Sequence, residues 1–570
     1  MSTISSASSS DSGVSTPDTS VASSAPASAP ASAPLSPHLK PTASTSSPAK
    51  RSAKTLTRAE VAERICAGQL LLLRDEEVLN VTNWAKHHPG GALALQHFVG
   101  RDAGDEIVAY HSEGTLDRMS KFVVGRVELD DTTGWKPLTP PIALGLRPHP
   151  DGVKGHWMRE GRIRLEAEPE CGTTTTSTVN HGPMGLEVVT ITPNDIEPPA
   201  QPEVDLRTER KRSKAYRTLK ARIEQAGLFR PPGPLAGYGE DIARYLILAG
   251  ASAFLFFNTS GWLGQMASAA LLGFCYQQLT FVAHDAGHTG ITGDWWWDRV
   301  IGMIIADWIG GLSLGWWCDN HDIHHLVTNH PEHDPDIQHI PFFAISAQFF
   351  RSLWSTYYKR IMAFDGPSRF LIQAQHKLYY IVLSLARFNL YALSYMYLFS
   401  AKAKKNAFWW FEIAGLCFYW TYFGAILKSQ ASWQMALGYL LVSHVCASPV
   451  HVQIVLSHFA CSTDDLGPTE SFPSRQLRTT MDVVCSEDAE FIHGGLHLQV
   501  THHLFPRLPR HNLRKASLLV KEYCGEHGIE YLEYGWLEGN RKVLNTLQDV
   551  ANQLKILKQV ADKEVAEKMQ

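Results

Sequence analysis

No Cys-x-x-Cys pair occurs among the nine cysteines of this chain, and Cys275, Cys417 and Cys446 stand inside apolar blocks. Cysteines so placed act as small buried hydrophobes, which argues against a disulfide framework or a zinc site and fits a reducing, cytosol-facing setting. Charge of one sign is missing too. The 52 Lys and Arg against 56 Asp and Glu leave a formal net charge of -4, so the overall balance gives no reason to expect nucleic acid as a partner. Residues 1–53 hold Ser, Ala, Pro and Thr but no apolar core segment, so they read as a solvated, disordered tail rather than a signal peptide.

The 570 residues are enough for several domains, and their hydrophobicity is uneven, with long apolar blocks after residue 240. Five segments are expected: the tail 1–53, a globular unit 54–130, a linker with a basic segment over 131–239, a membrane domain 240–525 and a helical C-terminal tail 526–570. The globular unit opens on Leu56-Thr57-Arg58-Ala59-Glu60, a capped helix, followed by strand-like runs at Leu70-Leu71-Leu72-Leu73 and at 78–81. Proline, threonine and glycine dominate 131–205, which reads as linker with some local strand. Eight basic residues and one acidic one lie between Arg207 and Arg222, a pattern that suits a helix on an anionic membrane surface. The charged pattern of 541–566 reads as a solvated helix.

A helix needs roughly 20 apolar residues to cross a bilayer. The stretches 262–283, 433–456 and 408–427 meet or nearly meet that, and 245–257 joins them as a hairpin partner through the turn Asn258-Thr259-Ser260-Gly261. The stretch 300–317 is interrupted by Asp307 and Gly310-Gly311, and 378–399 carries Arg387 and Asn389, so both suit interfacial or re-entrant helices. Four spans grouped two and two place the histidine clusters described below on one side. Lys402, Lys404 and Lys405 mark that side as cytoplasmic.

His88-Pro89-Gly90-Gly91 is followed 23 residues later by His111. Two imidazoles from opposite walls would fill both axial positions of a haem, leaving iron that passes electrons but has no open site for oxygen. Alone, the tetrapeptide could equally be a turn with a surface histidine. The longer run Val81-Thr82-Asn83-Trp84-Ala85-Lys86-His87-His88-Pro89-Gly90-Gly91, with His111-Ser112 and Phe122-Val123-Val124-Gly125-Arg126-Val127, resembles the cytochrome b5 family over about 75 residues. That resemblance implies haem b with His88 and His111 as axial ligands, and leaves His87 at the surface.

Three further clusters are His284-Asp285-Ala286-Gly287-His288, His321-Asp322-Ile323-His324-His325 and Gln499-Val500-Thr501-His502-His503. Positions i, i+3 and i+4 share one helix face, so each cluster can aim its side chains at one point. Imidazole suits iron, and ionisable groups at a membrane are functional by default. The clusters match the three histidine boxes of membrane fatty-acyl and sphingolipid desaturases over about 240–520. Gln499 opening the third box, the fused haem domain, and the contexts Trp316-Trp317-Cys318-Asp319-Asn320, His333-Asp334-Pro335-Asp336-Ile337 and His502-His503-Leu504-Phe505-Pro506-Arg507-Leu508-Pro509-Arg510 resemble fungal delta-8 sphingolipid desaturases most.

The resemblance implies a mostly α fold: a small α+β haem domain and a four-span membrane domain with a cytosolic histidine-box cap. It implies two non-haem iron ions held by His284, His288, His321, His324, His325, His502 and His503. A further ligand from the last span is assigned to His458, whose alternative role is a helix-capping histidine. His330, His333, His339, His444, His451, His493 and His497 rank below it, His333-Asp334 are suited to orienting the ligating rings, and Gln499 is placed near the iron without binding it. The implied substrates are ceramide and O2. The implied electron donor is an NADH-cytochrome b5 reductase, and the implied location is the endoplasmic reticulum membrane, among membrane lipids. A fatty-acyl desaturase, a lipid hydroxylase and a membrane-anchored haem electron carrier are the competing readings.

Overall fold

The computed structural model of the chain describes residues 54–149, 152–160, 180–181, 187–200 and 204–568. The expected tail 1–53 and the threonine tract 173–176 lie outside them. Helix α1 (Arg58–Cys66) starts at a reciprocal cap: the Thr57 hydroxyl accepts from the Glu60 N–H at 3.1 Å, and the Glu60 carboxylate accepts from the Thr57 N–H at 2.8 Å. Strands β1 (Leu71–Arg74) and β2 (Glu77–Asn80) form an antiparallel pair. The helices α2 (Gly91–Gln96), α3 (Gly104–Tyr110) and α4 (Glu113–Met119) intervene before β3 (Val123–Arg126) closes the sheet beside β2. Val61, Ile65, Leu71, Leu73, Val78 and Phe98 fill the core of this small α+β unit.

The stretch expected as linker is largely ordered where described. Strands β4 (Leu146–Pro148), β5 (Trp157–Arg159), β6 (Asn180–His181) and β7 (Glu187–Val189) form a sheet in the order β4-β5-β7-β6. Trp157 is buried, and its Nε1–H donates to the Cys66 carbonyl at 2.9 Å. Trp135 does the same to Gly100 at 2.9 Å. The sheet is thus a pad on the haem-type unit.

The basic segment forms α5 (Leu206–Gln225), capped by Asp205, which accepts from the Thr208 N–H at 3.1 Å. Several of its cations pair with carboxylates of the chain itself. Arg217 pairs with Asp105 at 2.7 Å and with Asp75, and Arg222 pairs with Glu522 at 2.7 Å. Buried Tyr216, Leu219 and Ile223 pack with Phe472, Leu504, Phe505 and Val520. Helix α5 therefore clamps the N-terminal unit to the C-terminal lobe, and carboxylates of the chain itself neutralise part of the charge that the sequence offers to lipid.

The middle of the chain is helical: α6 (Pro234–Asn258), α7 (Trp262–Gly287), α8 (Trp295–Met303), α9 (Leu314–Leu326), α10 (Gly366–Ile372), α11 (Gln375–Ser384), α12 (Ala386–Leu398), α13 (Ala407–Lys428), α14 (Trp433–Ala447) and α15 (Pro449–Leu456). Among the described residues, α7, α13 and the continuous α14–α15 are long and apolar enough to cross a membrane. The fourth expected span is the second half of α6, which is not among them; its first half carries Glu240, Asp241 and Arg244. It packs on α7, where Ser252 and Ser268 each donate to the other's carbonyl at 2.8 and 2.9 Å.

The two interrupted stretches are bent pairs. The segment Trp295–Ile309 meets α9 at 115°, and α11 meets α12 at 67°, giving up to five crossings if each pair counts as one. Gly311 at φ +74° makes the first bend, where a Cβ would stand 2.4 Å from the Tyr419 ring. Buried Arg387 donates to the Tyr391 hydroxyl at 3.0 Å and to the Gly310 carbonyl, and lies over the Tyr276 ring. The cation is satisfied by protein and needs no water.

Leu246, Phe257, Leu263, Trp410, Phe418 and Trp433 point outward, an apolar surface suited to lipid. Helices α7 and α14 approach closely at Gly273, where a Cβ would lie 2.3 Å from the Ser443 carbonyl oxygen. Gly273→Ala is expected to cost about 1–3 kcal/mol, seen as a lower Tm of the detergent-solubilised protein. An unchanged Tm would mean that α14 shifts freely.

The C-terminal lobe contains α16 (Phe472–Thr479), α17 (Glu490–His493), α18 (Gln499–Leu504), α19 (Leu513–His527) and α20 (Trp536–Lys568). The solvated-helix reading of 541–566 holds only beyond Leu554. Val543, Leu547, Val550 and Leu554 are buried in the cluster that contains Tyr379 and Leu383 of α11. The overall class is as the sequence implies: mostly α, with a small α+β unit at the N-terminal side.

Candidate metal centres

Helix α7 ends on His284 and His288, one turn apart. Helix α9 presents His321, His324 and His325, and starts where Ser313 accepts from the Trp316 N–H at 3.0 Å. Helix α18 presents His502 and His503. Its first turn is held by Asp482, which accepts from the Val500 N–H at 2.8 Å and pushes its own carboxyl up to about 7 through burial. His458 stands just beyond α15.

These four origins meet in two groups, His284, His288, His321 and His502, and His324, His458 and His503; within each, the ligand nitrogens lie within 4.8 Å of one another. His325 lies between the groups, stacked on His503 at 4.0 Å and 4.8 Å from the His288 ring. Gln499 is buried on the same short helix as His502 and His503.

The donor chemistry fits iron. His324 Nδ1 lies 2.9 Å from the Asp334 carboxylate, and His458 Nδ1 lies 3.2 Å from the Thr479 carbonyl. His503 Nδ1 lies 3.0 Å from Gln476 Oε1, which faces it because Gln476 Nε2 donates to the His325 carbonyl at 2.7 Å. Each of these oxygens accepts, so Nδ1 carries the hydrogen and Nε2 is left with a lone pair. The Nε2 atoms of His284, His288, His502 and His503 are buried without a hydrogen-bond partner, an expensive arrangement for core histidines and the expected one for metal ligands. Burial first, then neighbouring imidazoles, hold His502 and His503 far below the usual histidine pKa, in the neutral form that ligates; burial does the same for His458.

The second centre lies in the N-terminal unit. The His88 and His111 rings are 6.1 Å apart, close enough for one metal between them. His88 Nδ1 donates to the Gly91 carbonyl at 3.2 Å and His111 Nδ1 to the Ile107 carbonyl at 2.9 Å, so both keep Nε2 free. Burial pushes the pKa of His88 down to about 4 and lowers that of His111. His87 is exposed.

Several histidines go elsewhere. His333 stacks on His330 at 3.9 Å and lies near His97, with Nδ1 3.1 Å from the Thr356 hydroxyl, so Asp334 and not its neighbour orients a cluster ring. His444 packs on Phe388 and contacts Tyr391. Gln476 and Asn329 carry no signal in the sequence. Asn329, at φ +59°, donates its N–H to Asp334 at 2.7 Å and its Nδ2–H to the His458 carbonyl at 2.9 Å. Asp334→Asn is expected to lower iron retention by roughly 10- to 100-fold, measured as non-haem iron per chain after dialysis against a chelator. Unchanged retention would mean that Asp334 does not orient His324.

Residues 57–128 match the family model described as cytochrome b5-like Heme/Steroid binding domain, and residues 260–535 match the one described as Fatty acid desaturase. The chain is 42% identical over 531 residues to a Delta 8-(E)-sphingolipid desaturase of Emericella nidulans, with 88% of this chain and 96% of that one covered. A protein of the same description from Komagataella phaffii is 42% identical over 528 residues, covering 88% and 94%. A Delta(8)-fatty-acid desaturase of Borago officinalis is 29% identical over 482 residues, covering 84% and 90%.

Proposed function

Since this chain belongs to the fatty acid desaturase family and carries a fused cytochrome b5-like domain, we propose that it inserts a double bond between carbons 8 and 9 of the sphingoid base of a ceramide. The enzyme is an oxidoreductase of the membrane. O2 is its oxidant, and electrons come singly from an external NADH-dependent reductase through the haem domain. Its place is the endoplasmic reticulum membrane, with both metal centres on the cytosolic side. The observation that carries this reading is the meeting of eight histidines from four separate parts of the chain, seven of them in two groups beside a haem-type unit whose own two histidines face each other.

The overall balance is one –CH2–CH2– unit, O2, two electrons and two protons giving –CH=CH– and two waters. His284, His288, His321, His324, His325, His458, His502 and His503 are assigned to two irons, and His88 and His111 to haem b. When bound, the iron pair supplies the oxidising power, drawn from O2, that removes two hydrogens from neighbouring unactivated carbons. The chain's own part is to hold ligands and exclude water. Asp334, Gln476 and the Thr479 carbonyl fix the hydrogen on Nδ1 of three rings, so those rings cannot turn away. Burial of seven of the eight histidines keeps the site dry, which protects a strong oxidant from bulk solvent.

Arg510 braces one side of the site through Asp285 at 3.1 Å and through Asp241, while Tyr238 donates to Asp285 at 3.0 Å. These contacts tie the end of α7 to the segment after α18, so the first and third clusters cannot drift apart.

Expression in a yeast lacking sphingoid-base unsaturation tests the proposal by mass spectrometry of sphingoid bases and fatty acids. A new delta-8 unsaturation in sphingoid bases is expected. Unsaturation confined to fatty acids would overturn the substrate, and a hydroxylated product would overturn the reaction.

A further inference from the structure

The N-terminal unit is docked against α9 through the loop that carries His88. Lys404 Nζ donates to the His88 carbonyl at 3.3 Å, and a Cβ at Gly90 would lie 3.4 Å from the Asp322 carboxylate. Arg475 pairs with Glu106 at 3.0 Å across a buried boundary. One aromatic side chain crosses from one centre to the other. Tyr110 precedes His111 in the chain, and its ring stands edge-on to the His325 ring at a centroid distance of 6.5 Å. Its hydroxyl is buried with no hydrogen-bond partner.

A phenylalanine would fill the same space without an orphaned hydroxyl, which costs about 1–3 kcal/mol when left unpaired. The ring itself has the better position. It is bonded through the backbone to one candidate ligand and in edge contact with another. Gly90 and Gly91 of the His88 loop instead face the Asp322 and Asp319 carboxylates of α9, 3.4 and 3.6 Å from where a Cβ would stand.

We propose that Tyr110 is the bridge by which an electron leaves the haem for the iron pair, arriving at His325. The step rests on the reading of His325 as part of the iron cluster. It is a one-electron transfer: ferrous haem iron becomes ferric, a ferric ion of the pair becomes ferrous, and the NADH-dependent reductase restores the haem. Tyr110 undergoes no net oxidation and loses no proton, since packed aromatic matter only shortens the through-space gap that the electron must tunnel. It is a positioning residue, not a group that meets substrate.

The test uses the full-length holoprotein, reduced anaerobically with NADH and a flavin reductase and then mixed with oxygenated buffer in a stopped-flow instrument. Decay of the ferrous-haem absorbance is the readout, with haem content, haem midpoint potential and haem reduction rate measured beside it. Tyr110→Phe is expected within about twofold of the wild type, and Tyr110→Leu about tenfold slower or more with the other three quantities unchanged. Tyr110→Met, which fills similar space without a ring, is read by the same criterion if the leucine variant loses haem.

Wild-type speed in the leucine or methionine variant overturns the bridge, as does a phenylalanine variant as slow as leucine. His503→Ala separates the two levels of the argument. If wild-type haem reoxidises no faster than in that variant, the iron-cluster reading itself fails. If it does so while Tyr110→Leu matches wild type, only the bridge fails.

Discussion

Replacing His503 by alanine is expected to abolish the unsaturated product, a drop of more than about 100-fold, given that losing even an orienting partner of a ligand typically costs 10- to 100-fold. The group of His324, His458 and His503 has three donors, and His503 is the member locked by Gln476. Alanine leaves two imidazoles and a gap stacked against His325. The measurement is product per chain by mass spectrometry, with haem read from its absorbance and non-haem iron by elemental analysis. Non-haem iron is expected to fall while haem stays at one per chain, because His88 and His111 belong to a different unit. Undiminished product would remove the iron reading and leave the histidines as structural. That outcome is what the haem-carrier alternative requires.

Replacing His88 by alanine has the second-largest expected effect. One imidazole cannot hold the haem from both faces, so haem content should fall towards zero while non-haem iron is retained. Activity with NADH and reductase is expected to fall about 100-fold or more, because tethering supplies a donor at an effective concentration near millimolar that a micromolar soluble cytochrome b5 cannot match. Added soluble cytochrome b5 should rescue poorly for a further reason. The chain's own unit already occupies the face of α9, held by Arg475–Glu106, Arg217–Asp105 and the Lys404 contact with His88. Full rescue by soluble cytochrome b5 at micromolar concentration would show that the docked position has no part in electron delivery.

Much of the architecture was legible because its causes are local. The capping box at Thr57 and Glu60 and the apolar lengths of α7, α13 and α14–α15 can be read from neighbouring residues. So can the interruption at Gly310-Gly311 that becomes the bend before α9. Three readings went astray for one shared reason: what a charge or apolar stripe packs against lies elsewhere in the chain. The cations of α5 looked free for lipid until Asp75, Asp105 and Glu522 met them. The stretch 131–205 looked like linker until Trp135, Leu138 and Trp157 found the N-terminal unit. The apolar stripe of α20 looked solvated until it met α11.

For the candidate centres the division is sharper. Helical spacing alone puts His284 with His288, His321 with His324 and His325, and His502 with His503 on common faces, because 3.6 residues per turn leaves little choice. Only the tertiary structure decided that His502 joins the α7 pair while its neighbour His503 joins His324 and His458. Only packing brought Gln476 and Asn329 to the rings, and Tyr110 between the two centres. Backbone geometry within one helix is a property of adjacent residues. Which faces then meet is set by contacts such as Arg475 to Glu106, 369 positions apart, that no local pattern encodes.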